Sequence, residues 1–374
     1  MSLLGLRRGG VDATQVREAL ATVRDPEIGR TLDELGMLGD VSVDRRGGVR
    51  VPVALTTQEC PLADEIRASV ATAVRTVDGV TDVDVTMSVM DDRRRGEVGR
   101  LLHSTRTPLT SGLGGGPRVY AVASGKGGVG KSTVTANLAV ALARSGQRVA
   151  VLDADVWGYS MPQLFGVRRA PIAFEGIMLP VPAYGVSLMS IGFFVDEDQP
   201  VVWRGPMLHK ALQQFIDDVY WGEIDTLLVD LPPGTGDVAL SVLQLLPDAA
   251  LVVVTTPQRA ARSVASRVGR LAQEAGMPIA GVVENMSAAV CRDCGSHTAV
   301  FGVGGGVELA EQVGARVLGQ VPLDVDLREA GDRGVPAVIE APDSASSVAL
   351  RRVAETLPAV RRDVVRRSLP LTVV

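Results

Sequence analysis

Lysine is scarce in this sequence: it stands at Lys126, Lys131 and Lys210, and arginine supplies the rest of the permanent positive charge. Two of the three lysines share one eight-residue run, Gly125-Lys126-Gly127-Gly128-Val129-Gly130-Lys131-Ser132, which fits the phosphate-loop pattern G-x-x-x-x-G-K-[ST]. Glycines at this spacing let successive backbone N–H groups turn inward around phosphate oxygens, and a helix starting at the end of the run aims its positive pole at the same anion. Lys131 is placed to reach the β- and γ-phosphates, and the Ser132 hydroxyl to ligate Mg2+. The nucleotide-binding set is therefore read as Gly125 through Ser132 with Thr133 beside it, and the nucleotide as ATP.

Two carboxylate loops complete a phosphate-transfer constellation. In LLVDLPPGTGD, Asp230 falls at the tip of an apolar strand, the place for an acid that holds magnesium through water. In VLDADVWGYSMP, Asp153 and Asp155 follow another apolar strand, where a carboxylate either orients an attacking water or caps the next element. A different chemistry belongs to Cys291 and Cys294. Two cysteines three apart present both thiolates to one metal, yet zinc and iron–sulfur sites generally need four ligands. His297 stands at a spacing that offers a third zinc ligand. Cys60 is far away in sequence, so two chains giving two cysteines each is the economical way to four thiolates.

These residues need particular elements to hold them. After Pro117, apolar runs (VYAVAS, RVAVLD, TLLVD, LVVVTT, AGVVEN, ARVLGQV) alternate with helical stretches. Strands apolar at nearly every position are covered on both faces, which predicts a doubly wound, mostly parallel α/β sheet. The phosphate loop falls between strand VYAVAS and helix STVTANLAVALA, as its mechanism requires. Ahead of it, residues 8–92 read as helix, two strands, helix and strand, a small α+β domain. Residues 93–116, charged and then rich in Ser, Thr, Gly and Pro, read as linker, leaving 117–374 as the nucleotide domain. The C-terminal VALRRVAETLPAVRRDVVRRS reads as an Arg-rich amphipathic helix broken at Pro358.

Composition narrows the class. With 374 residues, 46% apolar and 22% charged, the chain has material for one large core and one small one. A net charge of −5 argues against non-specific nucleic-acid binding. No apolar run is long enough to span a bilayer and the opening residues lack the apolar core of a signal peptide, so no membrane partner and a cytoplasmic location are expected.

The second lysine, Lys126, is not demanded by the phosphate-loop pattern. GKGGVGKST resembles the deviant loop of the MinD, ParA, nitrogenase iron protein and Mrp/ApbC group, whose members form nucleotide-sandwich dimers. The resemblance implies that Lys126 reaches the partner's phosphates and stabilises charge during hydrolysis, and that Asp155 is the water-orienting carboxylate. It also implies that Asn285 of GVVENMS bonds the adenine edge and that Pro322 of GQVPLD lies near it, although an Asn or Pro at a strand end is often simple turn chemistry. In combination, GKGGVGKST, DADVWGYSMP, VDLPPGTGD, TTPQ, ENMS and CRDCG are similar to the Mrp/ApbC iron–sulfur cluster carrier ATPases over about Pro117 to Leu357. Asp25-Pro26-Glu27 and the run Thr56 to Pro61 resemble SufT-type assembly domains. Membership implies a homodimer holding a [4Fe–4S] cluster between paired Cys291 and Cys294, slow ATP hydrolysis, and transfer to apo iron–sulfur proteins. Arg292 replaces the usual proline of the cysteine motif, and Tyr159 replaces a proline of the DADVWGYSMP loop. Cys60 reads equally as a relay for iron or cluster and as a small buried residue, and Asp25 with Glu27 either as an acidic patch beside it or as turn and cap residues.

Three other functions compete. A MinD- or ParA-like positioning ATPase acting on membrane or DNA explains the phosphate loop but leaves CRDCG without a purpose. An ATP-driven reductase like the nitrogenase iron protein draws its cluster cysteines from separate loops, unlike this pair. A zinc-stabilised scaffold predicts stoichiometric zinc.

Overall fold

The structure, a computed structural model, describes residues 11–58, 60–106, 109, 116–195, 205–291 and 294–358. It divides into two compact units, one of residues 1–106 with 172–179, the other of 107–171 with 180–374.

In the first unit, α1 (Ala13–Leu20) begins where the Asp12 carboxylate accepts from the Thr14 N–H, and it buries Val16 and Leu20 one turn apart. Strand β1 (Ser42–Val43) pairs antiparallel with β2 (Gly48–Leu55), and β2 pairs parallel with β3 (Asp82–Val89). The alternation in β2 buries Val49, Val51, Val53 and Leu55, while α2 (Ala63–Arg75) contributes Ile66, Val70 and Val74 at helical spacing. The order of helix, two strands, helix and strand is the one read from the sequence.

The stretch read as linker opens instead with a helix, α3 (Asp92–Ser104). The Asp91 side chain accepts from the Arg94 N–H to start it, and Val98 and Leu102, one turn apart, are buried. Its dense charge hid that short apolar stripe. Most of residues 107–115 lie outside the described residues, as does everything after Pro358, so of the C-terminal reading only the helix up to Thr356 is described.

The second unit is built on β4 (Arg118–Ser124), whose residues from Val119 onward are all buried. It continues through α4 (Lys131–Arg144), β5 (Val149–Asp153) and α5 (Met161–Leu164). The hairpin of β6 (Ile172–Phe174) and β7 (Ile177–Leu179) groups with the first unit, where His103 Nε2 lies 3.1 Å from the Glu175 carbonyl and the Arg95 guanidinium lies over the Phe174 ring. Next come β8 (Val181–Ala183), β9 (Val186–Ser190), α6 (Gly205–Asp217), β10 (Thr226–Asp230), α7 (Asp237–Leu245), β11 (Ala250–Thr255) and α8 (Arg259–Glu274). The rest is β12 (Ile279–Val290), β13 (His297–Thr298), α9 (Gly305–Gln312), β14 (Val317–Leu323), α10 (Val325–Arg333), α11 (Ala337–Glu340) and α12 (Ala345–Thr356).

Strand order across this sheet is β14-β12-β11-β4-β10-β5-β9-β8, with β13 folding back on the far end of β12. Every neighbouring pair from β14 to β9 is parallel, while β8 and β13 are antiparallel additions, so the expected mostly parallel α/β sheet is what forms. Chain direction reverses across the sheet at β4: α4 leads towards β5 on one side, and α7 brings the chain back to β11 on the other. Loops after β4, β5 and β10 therefore meet at one crevice beyond the carboxyl ends of the central strands, where such sheets bind ligands. No helix among the described residues is long and apolar enough to cross a membrane.

Candidate functional site

The phosphate loop leaves β4 and closes into α4. Gly130, at φ +79°, is the left-handed residue before the helix, and a side chain there would collide with the Asn285 amide. Gly125 is required for a different reason, since a Cβ would run into the backbone of α8 at Val264 and Ala265. The loop lines a cavity of about 700 Å³, with Asp155, Trp157 and Pro232 on its other walls. That volume suits a nucleotide-sized ligand.

At the floor of the cavity, one buried cation meets three carboxylates. Lys131 Nζ is 2.7 Å from Asp230 Oδ2 and 3.9 Å from Asp155 Oδ2, with its side chain only 6% exposed. Asp230 also accepts from Ser132 Oγ at 2.5 Å and from Thr135 Oγ1 at 2.9 Å. Strand register explains the third acid: Asp230 of β10 is paired directly with Asp153 of β5. Burial, with the neighbouring Asp230 charge adding to it, pushes the Asp153 carboxyl well above the ordinary carboxylate range. Burial likewise raises Asp155, against the pull of Lys131.

The two aspartates read together from DADVWGYSMP do different things. Asp153 is fully buried and accepts from Ser190 Oγ (2.9 Å), the Met161 N–H (3.2 Å) and the Asp155 N–H (3.2 Å), so it ties the loop's two ends. Asp155 accepts the Gly158 N–H at 3.0 Å and turns its other oxygen towards Lys131 in the cavity. Lys126 is half-buried at the other end of the loop, its ammonium 3.3 Å from Gln258 Oε1 just ahead of α8.

Neither Asn285 nor Pro322 lines the cavity, and Asn285 lies beside the loop. The Asn285 amide donates to the Val129 carbonyl at 2.9 Å, while its own Oδ1, buried, has no hydrogen-bond partner. Val321, next to the buried Pro322, is the register partner of Asn285. A buried side-chain carbonyl oxygen without a partner is suited to accept from an amino group.

Cys291 and Cys294 close the turn between β12 and β13, and both are exposed. The Cys291 N–H donates to the Ser296 carbonyl and the Gly295 N–H to the Cys291 carbonyl, both at 2.9 Å. Cys294 Sγ lies 3.2 Å from Ser296 Oγ, within hydrogen-bond reach. Contacts with Ser296, its hydroxyl first, hold the Cys294 thiol below its ordinary range, which favours the thiolate that binds metal. His297 was a possible third ligand. It pairs with Val290 in the hairpin, and among the described residues no three His, Cys, Asp or Glu side chains come together as a metal group. Asp25, Glu27 and Cys60 do not form such a group either. Asp25 is a turn residue, its carboxylate accepting the N–H groups of Glu27 and Ile28 at 2.9 Å, and Cys60 is half-buried.

Comparison with known proteins agrees with this geometry. The model of the family described as NUBPL iron-transfer P-loop NTPase matches residues 117–358, and that described as iron-sulfur cluster assembly protein matches residues 13–86. An iron-sulfur cluster carrier protein of Mycobacterium tuberculosis is 49% identical over 376 residues, covering 98% of each chain. The chain belongs to the iron–sulfur cluster carrier family of P-loop NTPases. A carrier protein of Deinococcus radiodurans is 44% identical over 91% of this chain and 93% of its own. Among solved structures, a nucleotide-binding protein from Archaeoglobus fulgidus in complex with ADP is 34% identical with a TM-score of 0.56, covering 70% of this chain and 98% of that one.

Several residues of this carrier-family site escaped the sequence reading. Thr135, one turn beyond Lys131 on α4, was detectable as the next hydroxyl on the same helix face. Gln258 was visible in TTPQ but had no partner assigned. Ser190 carried no signal, because only strand register brings β9 beside β5.

Proposed function

We propose that this protein binds and hydrolyses ATP at the phosphate loop and carries a [4Fe–4S] cluster between the Cys291 and Cys294 pairs of two copies, delivering it to apo iron–sulfur proteins. The observation that carries the reading is the presence, in one unit, of a buried Lys131–Asp230 pair bonded to Ser132 and an exposed turn offering two thiols, half of a four-thiolate set.

Ser132 and Asp230 fit a hard divalent cation: a hydroxyl and a carboxylate whose oxygens are already 2.5 Å apart are the donors Mg2+ takes. When bound, Mg2+ would neutralise charge on the β- and γ-phosphates. Lys131 first exchanges Asp230 for phosphate oxygens, which frees Asp230 and Ser132 to hold the ion. The loop's N–H groups and the start of α4 hold the phosphates in place. Asp155 orients the water that attacks the γ-phosphorus as the bond to the bridging oxygen breaks, and its raised proton affinity suits it to accept a proton there. Lys126 stabilises the charge that develops, reaching across a dimer once it leaves Gln258. Asn285 accepts the adenine amino group at its unpaired Oδ1, beside Pro322. Slow turnover, a cytoplasmic site of action and no membrane or nucleic-acid partner complete the reading, with residues 8–92 as an accessory domain and 117–374 as the working one.

The test is anaerobic purification and reconstitution with iron and sulfide, followed by metal and sulfide analysis, the absorption spectrum and mass in solution. About four irons and four sulfides per dimer, lost in Cys291→Ala or Cys294→Ala, are expected. Zinc alone, or a monomer with no cluster, overturns the carrier reading and leaves the nucleotide site standing.

A further inference from the structure

Strand β12 connects the two sites. Its inner half is held firmly: residues 282–284 pair with β11 on one side and 282–285 with β14 on the other. The buried Glu284 carboxylate accepts from the Gly306 N–H at the start of α9 and from Gln320 Nε2. At the end of this rigid half, Asn285 reaches the phosphate loop through the Val129 carbonyl and leaves its own buried Oδ1 unpaired. The outer half pairs with β13, touches β14 again only where Ala289 faces Leu323, and ends at Val290, one residue before Cys291.

Between the halves stands Met286 at φ +56°. Among the described residues, Glu175 and Tyr184 are the other non-glycine positions with positive φ, and each precedes a glycine in a tight hairpin turn. Met286 has no such excuse. It lies inside a strand, and the pairing of β12 with β14 loses register between Asn285 and Ala289. An L-residue held left-handed in mid-strand is strained and persists only because its surroundings impose it, and such strain gathers at switch points.

We propose that Met286 is a strained hinge through which nucleotide at the phosphate loop resets the Cys291/Cys294 turn. The inference rests on the nucleotide and thiol roles proposed above and adds the route between them. A ligand that pairs Asn285 Oδ1 or shifts the Val129 carbonyl acts on the residue next to the hinge. The rigid inner strand cannot yield, so the change passes to the outer half, which carries the thiols. Asn285 and Cys291 are six positions apart in the chain, at most about 20 Å if it were fully extended.

The experiment uses the full-length, reduced, metal-free protein, so it does not depend on whether a cluster is carried. Alkylation rates of Cys291, Cys294 and Cys60 are measured separately by mass spectrometry, without nucleotide and at saturating Mg–ADP and Mg–AMP-PNP, with nucleotide binding measured in parallel. Nucleotide should change the rates at Cys291 and Cys294 by about fivefold or more, the lower end of usual coupling between sites, and leave Cys60 in the other unit unchanged. Met286→Gly and Met286→Asn, both at ease at positive φ, should bind nucleotide with affinity within about threefold of the parent while the rate ratio falls towards one. Bound nucleotide with no effect on either thiol of the parent protein overturns the proposal. So does either folded variant that keeps the full ratio, as it would if dimerisation alone shielded the cysteines. Loss of nucleotide binding in the parent protein would instead refute the function proposed above.

Discussion

Removing the Lys131 ammonium should unsettle the nucleotide-free protein as well as weaken its hold on nucleotide. Lys131 is the cation that faces Asp230 at 2.7 Å and Asp155 at 3.9 Å, and its charge also pulls on Asp153. Asp230 and Asp153 have no exposed surface and Asp155 retains 6%. Breaking a buried ion pair by deleting one partner costs about 3–5 kcal/mol, because the surviving charge is left uncompensated. Asp230 keeps its hydrogen bonds from Ser132 and Thr135, which places Lys131→Ala at the low end, about 3 kcal/mol. For a unit of this size that is roughly 6–12 °C in Tm. The assay is urea unfolding without nucleotide or magnesium, followed by tryptophan fluorescence; Trp157, Trp203 and Trp221 all lie within residues 117–374, so the signal reports this unit alone. Adding Asp230→Asn removes the stranded charge, and the double variant should recover about 2 kcal/mol relative to additivity. A Lys131→Ala protein within about 0.5 kcal/mol of the parent, or a double variant that is strictly additive, refutes the claim that the lysine holds this cluster together.

Lys126→Ala should leave nucleotide affinity within a few-fold and slow phosphate release by about a hundredfold or more, read by single-turnover hydrolysis; an unchanged rate removes it from the mechanism. Cys294→Ala should abolish cluster binding yet change unfolding free energy by less than about 0.5 kcal/mol, because the thiol is exposed and its contact with Ser296 is exposed as well. Asp153 provides a pH test. Its folded-state carboxyl is pushed up to about 7, from an ordinary value near 3.8, so between those values the folded protein holds a proton that the unfolded chain has lost. Its contribution to stability is therefore present at low pH and is lost as pH rises from about 4 to about 7. Asp153→Asn should gain stability relative to the parent over that window, and a difference flat in pH would contradict the assignment. Gly125→Ala, which forces the loop or α8 to move, should cost about 1–3 kcal/mol and weaken ADP binding measured by calorimetry; normal binding would mean the loop has room that the geometry denies.

How much of this could be read from residues alone depended on whether a feature was local. The phosphate loop needed only its own strand, eight residues and helix, and all three were consecutive. Asp230 was found because an apolar run announces where a strand ends. Asp153 and Asp155 look alike in sequence and are told apart by burial, since only β9 and β10, far along the chain, decide which carboxylate is walled in. Helix α3 was missed because Val98 and Leu102 are few among eight charged or polar neighbours, and a hairpin inserted at 172–179 gave no sign that it would join the first unit. Strand β12 was read as ending near Asn285, whereas it runs to Val290. Nothing in ENMSAAV marks a strand that survives a left-handed residue.

That last miss bears on how the function proposed above would join two chemistries with opposite needs in one chain. Phosphate transfer gains from a dry, preorganised floor in which charges act at full strength, and here Asp153, Asp155, Asp230 and Lys131 are all buried. Handing over a cluster needs thiolates that an incoming protein's ligands can reach, and Cys291 and Cys294 are both exposed. A loop between such sites would transmit little, and an unbroken rigid strand would transmit at all times. On the proposal made above, a strand clamped at the nucleotide end and strained at Met286 would shift to a second arrangement when the phosphate loop is filled. If this is how hydrolysis reaches the cluster, Met286→Gly should still hydrolyse ATP and still bind iron and sulfide, while its transfer rate to an apo-protein no longer responds to nucleotide. A variant whose transfer still follows nucleotide as the parent's does would place the coupling elsewhere in the dimer.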